Sequence, residues 1–172
     1  MITRRALLRT GLGTLALPLV GCATTDEAAA GEKPLVHPLT GLLDFAGQPV
    51  VAPKILGAVT IVDFWASWCG PCRQAFRHMD QLYRTYKGDG LEMIAVSVDD
   101  DVQAARRFWA TARPRFPVAW DGGGEVRERF DVLSLPTTVL FDPSGFLVQR
   151  NEGFDPADHR LLEEHVHRLL RS

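Results

Sequence analysis

The sequence predicts an α/β domain, a central mixed β-sheet covered by helices on both faces. Three observations predict it. Short runs rich in β-branched and aromatic residues alternate with longer amphipathic stretches, in the order βαβα(β)αββα. The first run is apolar on both faces, as a central parallel strand needs. Of the 172 residues, 46% are hydrophobic and 23% charged, which suits a globular chain and excludes a disordered or fibrous one. A formal net charge of −2 gives no basic footprint for nucleic acid. No apolar stretch reaches the roughly 18 residues of a confident membrane span.

The first strand is Thr60-Ile61-Val62-Asp63-Phe64-Trp65. Pro71 opens the first helix, where Cys72, Ala75, Phe76, Met79, Leu82, Tyr83 and Tyr86 recur at three- and four-residue steps. Gly88 and Gly90 stop it. Leu91 to Val98 is a second buried strand whose only charge is Glu92. Residues 101–113 form a polar helix with Val102, Ala105, Phe108 and Trp109 inward. Phe116 to Trp120 is a short strand, and Glu125 to Phe130 a short helix after the Gly122-Gly123-Gly124 turn. Thr137 to Phe141 and Leu147 to Asn151 flank Asp142-Pro143-Ser144-Gly145, a hairpin signal. The last helix, Pro156 to Leu170, carries Leu162, Val166 and Leu169 on one stripe, with Leu161, His165 and Arg168 beside it.

Residues 1–21 read as an export signal, 22–34 as a tether and 35–172 as the domain. Thr3-Arg4-Arg5-Ala6-Leu7-Leu8-Arg9 is a basic start, and the apolar run Thr10 to Val20 follows, broken only by Pro18. At about 1.5 Å per residue the run covers roughly half a bilayer core, which suits a signal peptide and not a permanent span. It ends Leu19-Val20-Gly21-Cys22, which resembles the lipobox of bacterial lipoproteins. There the cysteine is acylated with diacylglycerol and becomes the first residue after cleavage. The arginine pair with Leu7 and Leu8 also resembles a twin-arginine signal. Ala23, not Asp, follows the cysteine, so the retention rule of enteric-type bacteria would not hold the protein in the inner membrane. Cleavage removes three arginines and takes the formal net charge from −2 to −5. Residues 23–34 have no aromatic or β-branched aliphatic residue, as a flexible tether would.

Between the first strand and first helix stands Trp68-Cys69-Gly70-Pro71-Cys72. Such a pair can be half of a zinc site, but zinc needs two more N or S ligands. The one other cysteine is Cys22, and no histidine pair lies near with ligand spacing. For thiol chemistry the placement has a physical logic. Cys69 falls at the helix N-terminus, where unpaired N–H groups and the dipole favour a thiolate. Cys72 is one turn in, close enough to attack a mixed disulfide on Cys69. Pro71 fixes φ and needs no N–H partner. Trp68 and Trp65 flank the pair, and Trp65 is expected only to fill space. Asp99-Asp100-Asp101 caps the next helix. His159, His165 and His167 are expected in solvent, and His37 and His78 stand isolated.

Val62 through Cys72 resembles the active-site stretch of the thioredoxin superfamily. Phe116-Pro117-Val118, Leu135-Pro136-Thr137-Thr138, Asp142-Pro143-Ser144-Gly145 and Gly153 resemble its membrane-tethered TlpA/ResA-like branch. The resemblance covers roughly residues 40–170 and implies a thioredoxin-like fold. It implies that Cys69 is the attacking, more exposed cysteine and Cys72 the buried resolving one. Pro136 matches the family's cis-proline facing the disulfide, and Leu135 the residue that offers its backbone to the substrate strand, beside Trp68. Residues 101–123 resemble the insert that separates this branch from minimal thioredoxin. Asp63 stands where the branch often has Asn, Ala75 where it has Glu, and Arg77 where it has Pro. The last two argue against the specialised cytochrome c client of some relatives. Asp63 is the thioredoxin arrangement, a carboxylate under the disulfide. Burial there raises its pKa and suits it to accept a proton from Cys72.

These readings together predict an extracytoplasmic, lipid-anchored thiol–disulfide oxidoreductase of the bacterial cell envelope, with no cofactor. Its partners would be protein thiols and disulfides and a membrane dithiol that donates electrons. The Gly70-Pro71 pair resembles thioredoxin and favours a reductant, for example of cysteines awaiting haem or copper as in cytochrome c biogenesis. A disulfide oxidase or isomerase, and a Cu(I) metallochaperone using the same dithiol, are the alternatives at this point.

Overall fold

The computed structural model describes residues 39–172. The signal peptide, Cys22, the tether and His37 lie outside the described residues. The strands are β1 (Val59–Trp65), β2 (Leu91–Ser97), β3 (Val118–Trp120), β4 (Thr137–Phe141) and β5 (Leu147–Glu152). The helices are α1 (Gly70–Tyr86), α2 (Val102–Ala112), α3 (Glu125–Arg129) and α4 (Pro156–Leu169). One mixed sheet runs β3-β2-β1-β4-β5. β1, β2 and β3 are parallel to one another; β4 and β5 run antiparallel to their neighbours. Residues 101–123 become α2 and β3 and add an outer strand to the sheet.

All seven residues of β1 are buried, as expected for a strand with neighbours on both edges and helices on both faces. Alternation puts Ile61, Asp63 and Trp65 on one face and Val62 and Phe64 on the other. Trp65 stacks 5.6 Å from Trp109 and lies 5.2 Å from both Phe76 and Phe108, so α1 and α2 cover its face. Phe64 meets Phe130, just past α3, at 5.0 Å on the opposite face. Two successive right-handed crossovers stepping the same way, β1 to β2 to β3, put α1 and α2 on one side. α4 packs beside α1.

Several boundaries differ from expectation for local reasons. β3 is three residues long, not five: Pro117 has no N–H to give and only its carbonyl bonds, to Ala95 N at 2.9 Å. Leu43 exchanges both backbone bonds with Trp120 and so covers that sheet edge. α1 closes through a short 3₁₀ turn, and Gly90 exits it at φ +104°, which a side chain would oppose. On α2 only Ala105 is fully buried; Val102, Phe108 and Trp109 are half-buried.

Three histidine readings are corrected, the first being His165, which is half-buried with Nδ1 2.7 Å from Gln149 Oε1. His159 is buried, because α4 docks on α1 and brings it 5.5 Å from His78 and 4.9 Å from Phe154. His78 is accordingly not isolated. Burial, then the neighbouring His78, hold the His159 pKa below its ordinary value, and Asp158 and Asp155 oppose them. A group depressed in the folded state supports stability that is full above about pH 6.5 and lost as pH falls through the folded pKa. Melting scans from pH 7.5 to 5 should therefore show a smaller acid-side loss for His159→Phe than for the parent. The expected gap is a few degrees, and parallel curves would contradict the buried neutral imidazole.

Candidate active site

The loop from β1 to α1 leaves the sheet at its carboxyl edge and turns at once, Cys69 N–H bonding the Ala66 carbonyl at 3.1 Å. The β1–β2 register sets Trp65 opposite Ser97, and two residues on from each come Ser67 and Asp99. Asp99 is buried and does not cap α2; Asp101 does, accepting from Gln103 N at 2.9 Å. Asp99 instead accepts from Ser67 N at 3.1 and 2.9 Å, from Ser67 Oγ at 2.6 Å and from Ser97 Oγ at 2.9 Å. Its own carbonyl accepts from Trp120 Nε1 at 2.7 Å. The residue two before Cys69 is thus tied through backbone and side chain to the end of β2.

Cys69 is the N-cap of α1 and Pro71 lies in its first turn. Cys69 and Cys72 form a disulfide of 2.01 Å, and Cys72 N–H bonds Cys69 Sγ at 3.2 Å. The expected contrast in exposure is small. Cys69 is 4% exposed and Cys72 fully buried, because the bridge turns the Cys69 sulfur inward toward the helix. Trp68 is 71% exposed, whereas Trp65 is fully buried, as expected of a space-filling ring.

Asp63 lies on the β1 face that α1 covers, the side toward which fully buried Cys72 points. It pairs in register with Thr138 of β4, whose Oγ1 donates to Asp63 Oδ1 at 2.7 Å. Asp63 Oδ2 has no partner among the described residues. Desolvation raises the Asp63 pKa to about 7 and the Thr138 bond opposes it. Near neutrality this carboxyl is divided between its two forms, the condition for taking or giving a proton.

Pro136 opens the approach to β4, and the Leu135–Pro136 bond is cis. Thr137 Oγ1 bonds the Ser134 carbonyl and Gly153 N–H bonds the Pro136 carbonyl, both at 2.7 Å. Leu135 is half-buried, and neither its N–H nor its carbonyl bonds another described residue. Arg150 ties down the preceding loop, donating to the Phe130 and Asp131 carbonyls at 2.8 and 2.7 Å. Leu133 on that loop is 82% exposed. Sequence reasoning missed Asp99, Arg150 and Leu133. The signal for Asp99 was its place at the carboxyl end of a parallel strand, where crevices form. For Leu133 the signal was an apolar residue inside a loop.

A model of the AhpC/TSA family matches residues 36–150. The chain is 30% identical over 150 residues to the thiol-disulfide oxidoreductase ResA of Bacillus subtilis, spanning 85% of this chain and 84% of the relative. It is 32% identical over 126 residues to ResA of Bacillus thuringiensis subsp. konkukian, spanning 73% and 72%. A crystal structure from Chlorobium tepidum, named for a thiol:disulfide interchange protein DsbE, superposes with a TM-score of 0.64 at 39% identity. The match covers 67% of this chain and 82% of that one.

The buried carboxyl makes a signed prediction. With its folded pKa raised from 3.8 to about 7, Asp63 supports stability that is full below pH 3.8 and lost as pH rises through 7. Three units at about 1.36 kcal/mol each set a ceiling of about 4 kcal/mol. Asp63→Asn should therefore be more stable than the parent at pH 8, by up to that amount, with the gap closing toward pH 4. Denaturant titrations across this range check it, and curves that stay parallel would refute the raised pKa. In single-turnover exchange the same variant should resolve mixed disulfides on the order of 100-fold more slowly.

Proposed function

The chain belongs to the AhpC/TSA family, among its thioredoxin-like thiol–disulfide oxidoreductases, and from that premise we propose that it is a lipid-anchored reductant of protein disulfides outside the cytoplasm. The observation that carries the reading is a Cys69–Cys72 pair at the start of α1, with a buried carboxyl of pKa about 7 on the β1 face that α1 covers.

The exchange runs in two steps. The Cys69 thiolate attacks one sulfur of a client disulfide; the client S–S bond breaks, and its second sulfur leaves as a thiolate that takes a proton from water. Cys72 then gives its proton to the Asp63 carboxylate and attacks the Cys69 sulfur. The mixed disulfide breaks, the departing client sulfur takes up the proton now held by Asp63, the client leaves as a dithiol, and Cys69–Cys72 is left oxidised. Two electrons have moved from protein to client. A membrane dithiol restores the reduced state by the reverse exchange, since a cytosolic donor does not reach this compartment. The family resemblance would set Trp68, Leu135 and Pro136 around the pair, and the unpaired Leu135 backbone groups suit an extended client segment.

Direction rests on the Gly70-Pro71 dipeptide, shared with thioredoxin at about −270 mV and not with the strong oxidant DsbA at about −120 mV. Equilibrating the protein in thiol/disulfide buffers, with tryptophan fluorescence as the signal, should give a potential at or below about −230 mV. A value near −120 mV would make it an oxidant or isomerase. Anchoring rests on Leu19-Val20-Gly21-Cys22. Cys22→Ser should move the protein from the membrane to the soluble envelope fraction, and an unchanged partition would remove the lipid.

A further inference from the structure

Starting at Ser67, two residues before Cys69, α1 and α2 leave an open groove of about 850 Å³ between two helical stripes. One wall is Arg73, Phe76, Arg77 and Asp80 of α1, at i, i+3, i+4 and i+7. The other comes from α2, chiefly Arg107, Phe108 and Thr111. Phe76 and Phe108, with ring centres 5.6 Å apart, form an apolar floor. The groove begins at Ser67, next to exposed Trp68 and two residues from Cys69.

Its charge runs against that of the chain. Three guanidinium groups line it on a protein of formal net charge −2, and the single carboxylate there is committed. Asp80 accepts from Arg115 N at 2.6 Å and lies 4.0 Å from Arg84. Arg107 has only a solvent-exposed pairing with Asp101 at 3.5 Å, which is weak. Arg73 is held in place, its carbon 5.4 Å from the Phe108 ring centre and Nη2 donating to the Ser67 carbonyl at 3.3 Å. Arg77, at the centre of the wall, has no hydrogen bond or ion pair to a described residue, and exposed guanidinium groups match carboxylates in a forked geometry.

We propose that this groove receives an acidic segment of the partner polypeptide engaged at Cys69, and so selects clients with Asp or Glu close to the reactive cysteine. This rests on the oxidoreductase reading, because whatever is joined to Cys69 is a polypeptide whose neighbouring residues lie over Ser67. From Arg73 to Asp80 the wall is seven residues of helix, about 10 Å, matched by about three residues of extended chain. The favoured carboxylates therefore lie within about two to five residues of the client cysteine. The apolar floor takes the stems of their side chains while the arginines take the charges.

The test compares two fluorescent peptides, each with one Cys-X-X-Cys disulfide followed by either four Glu or four Gln, on the full-length protein in detergent. Anisotropy with the oxidised protein reads binding apart from exchange; reduction by the reduced protein reads exchange. At low salt the Glu peptide should bind and be reduced about tenfold better. The advantage should fall below about twofold in 0.5 M NaCl, and likewise in the Arg77→Gln/Arg107→Gln double variant. Reduction of the Gln peptide should not change in that variant. Arg77→Glu should turn the preference toward a Lys peptide. Equal binding of the two peptides, or a Glu preference that survives the double variant, overturns the proposal. If neither peptide is reduced yet Glu binding depends on these arginines, the groove stands and the oxidoreductase reading falls. If the double variant loses phosphatidylglycerol vesicles but keeps the Glu peptide, the groove serves the membrane surface and the proposal is wrong.

Discussion

Strand β1 has no solvent-facing side, and the functional geometry follows from that constraint. Flanked by β2 and β4 and covered above and below, it buries all seven of its residues. An ordinary carboxylate in such a strand is costly, because the charged form gives up water and gains one hydroxyl in return. Asp63 meets this cost by holding its proton to about pH 7. The same centrality fixes where the chain emerges. The parallel neighbours β1 and β2 end together, and the two loops leaving them meet at the carboxyl edge of the sheet. Cys69 begins a helix at that edge, while Asp63 lies two strand positions below the loop.

Three short ties hold that edge. Asp99 fixes the loop before Cys69, Thr137 and Gly153 fix the turn around Pro136, and Arg150 fixes the loop ahead of it. Each uses a side chain or N–H on one element to satisfy polar groups on another, so the edge is held without extra apolar burial there. The exposed apolar residues Trp68 and Leu133 stand on loops secured in this way. Ordered loops lose little freedom when a client docks, which suits a protein that must align two sulfurs for in-line exchange.

Much of this was legible in the chain because its signals are local. Strand alternation, the helix start at Pro71 and the hairpin at Asp142-Pro143-Ser144-Gly145 each depend on neighbouring residues alone, and each is where the sequence implies. The cysteine pair and Asp63 were readable because burial of β1 follows from its apolar run. What escaped was set by register and by docking. Asp99 meets Ser67 only because Trp65 pairs with Ser97, and a cluster of three aspartates before a helix offers capping as the nearer explanation. His159 looked solvated because its helix is largely polar; its burial comes with the packing of α4 on α1, whose His78 belongs to another segment. The arginine groove was hidden for the same reason, since Arg77 and Arg107 are 30 positions apart.

In the proposed exchange, the charges around the pair would set the order of proton movement. In the oxidised protein the sulfurs carry no charge, and burial, opposed by the Thr138 bond, raises the Asp63 pKa to about 7. Reduction followed by ionisation of Cys69 adds a negative charge at the start of α1, stabilised there by free N–H groups and by the helix dipole. A second negative charge nearby disfavours the first, so the reduced protein holds the Asp63 proton more tightly while Cys69 is a thiolate. When Cys69 enters a mixed disulfide that charge is gone, and Asp63 loses its proton more readily. In the proposed exchange the carboxyl would therefore become a base at the stage when Cys72 must be deprotonated. A carboxylate on the surface, already ionised throughout, would have no such change of state to offer.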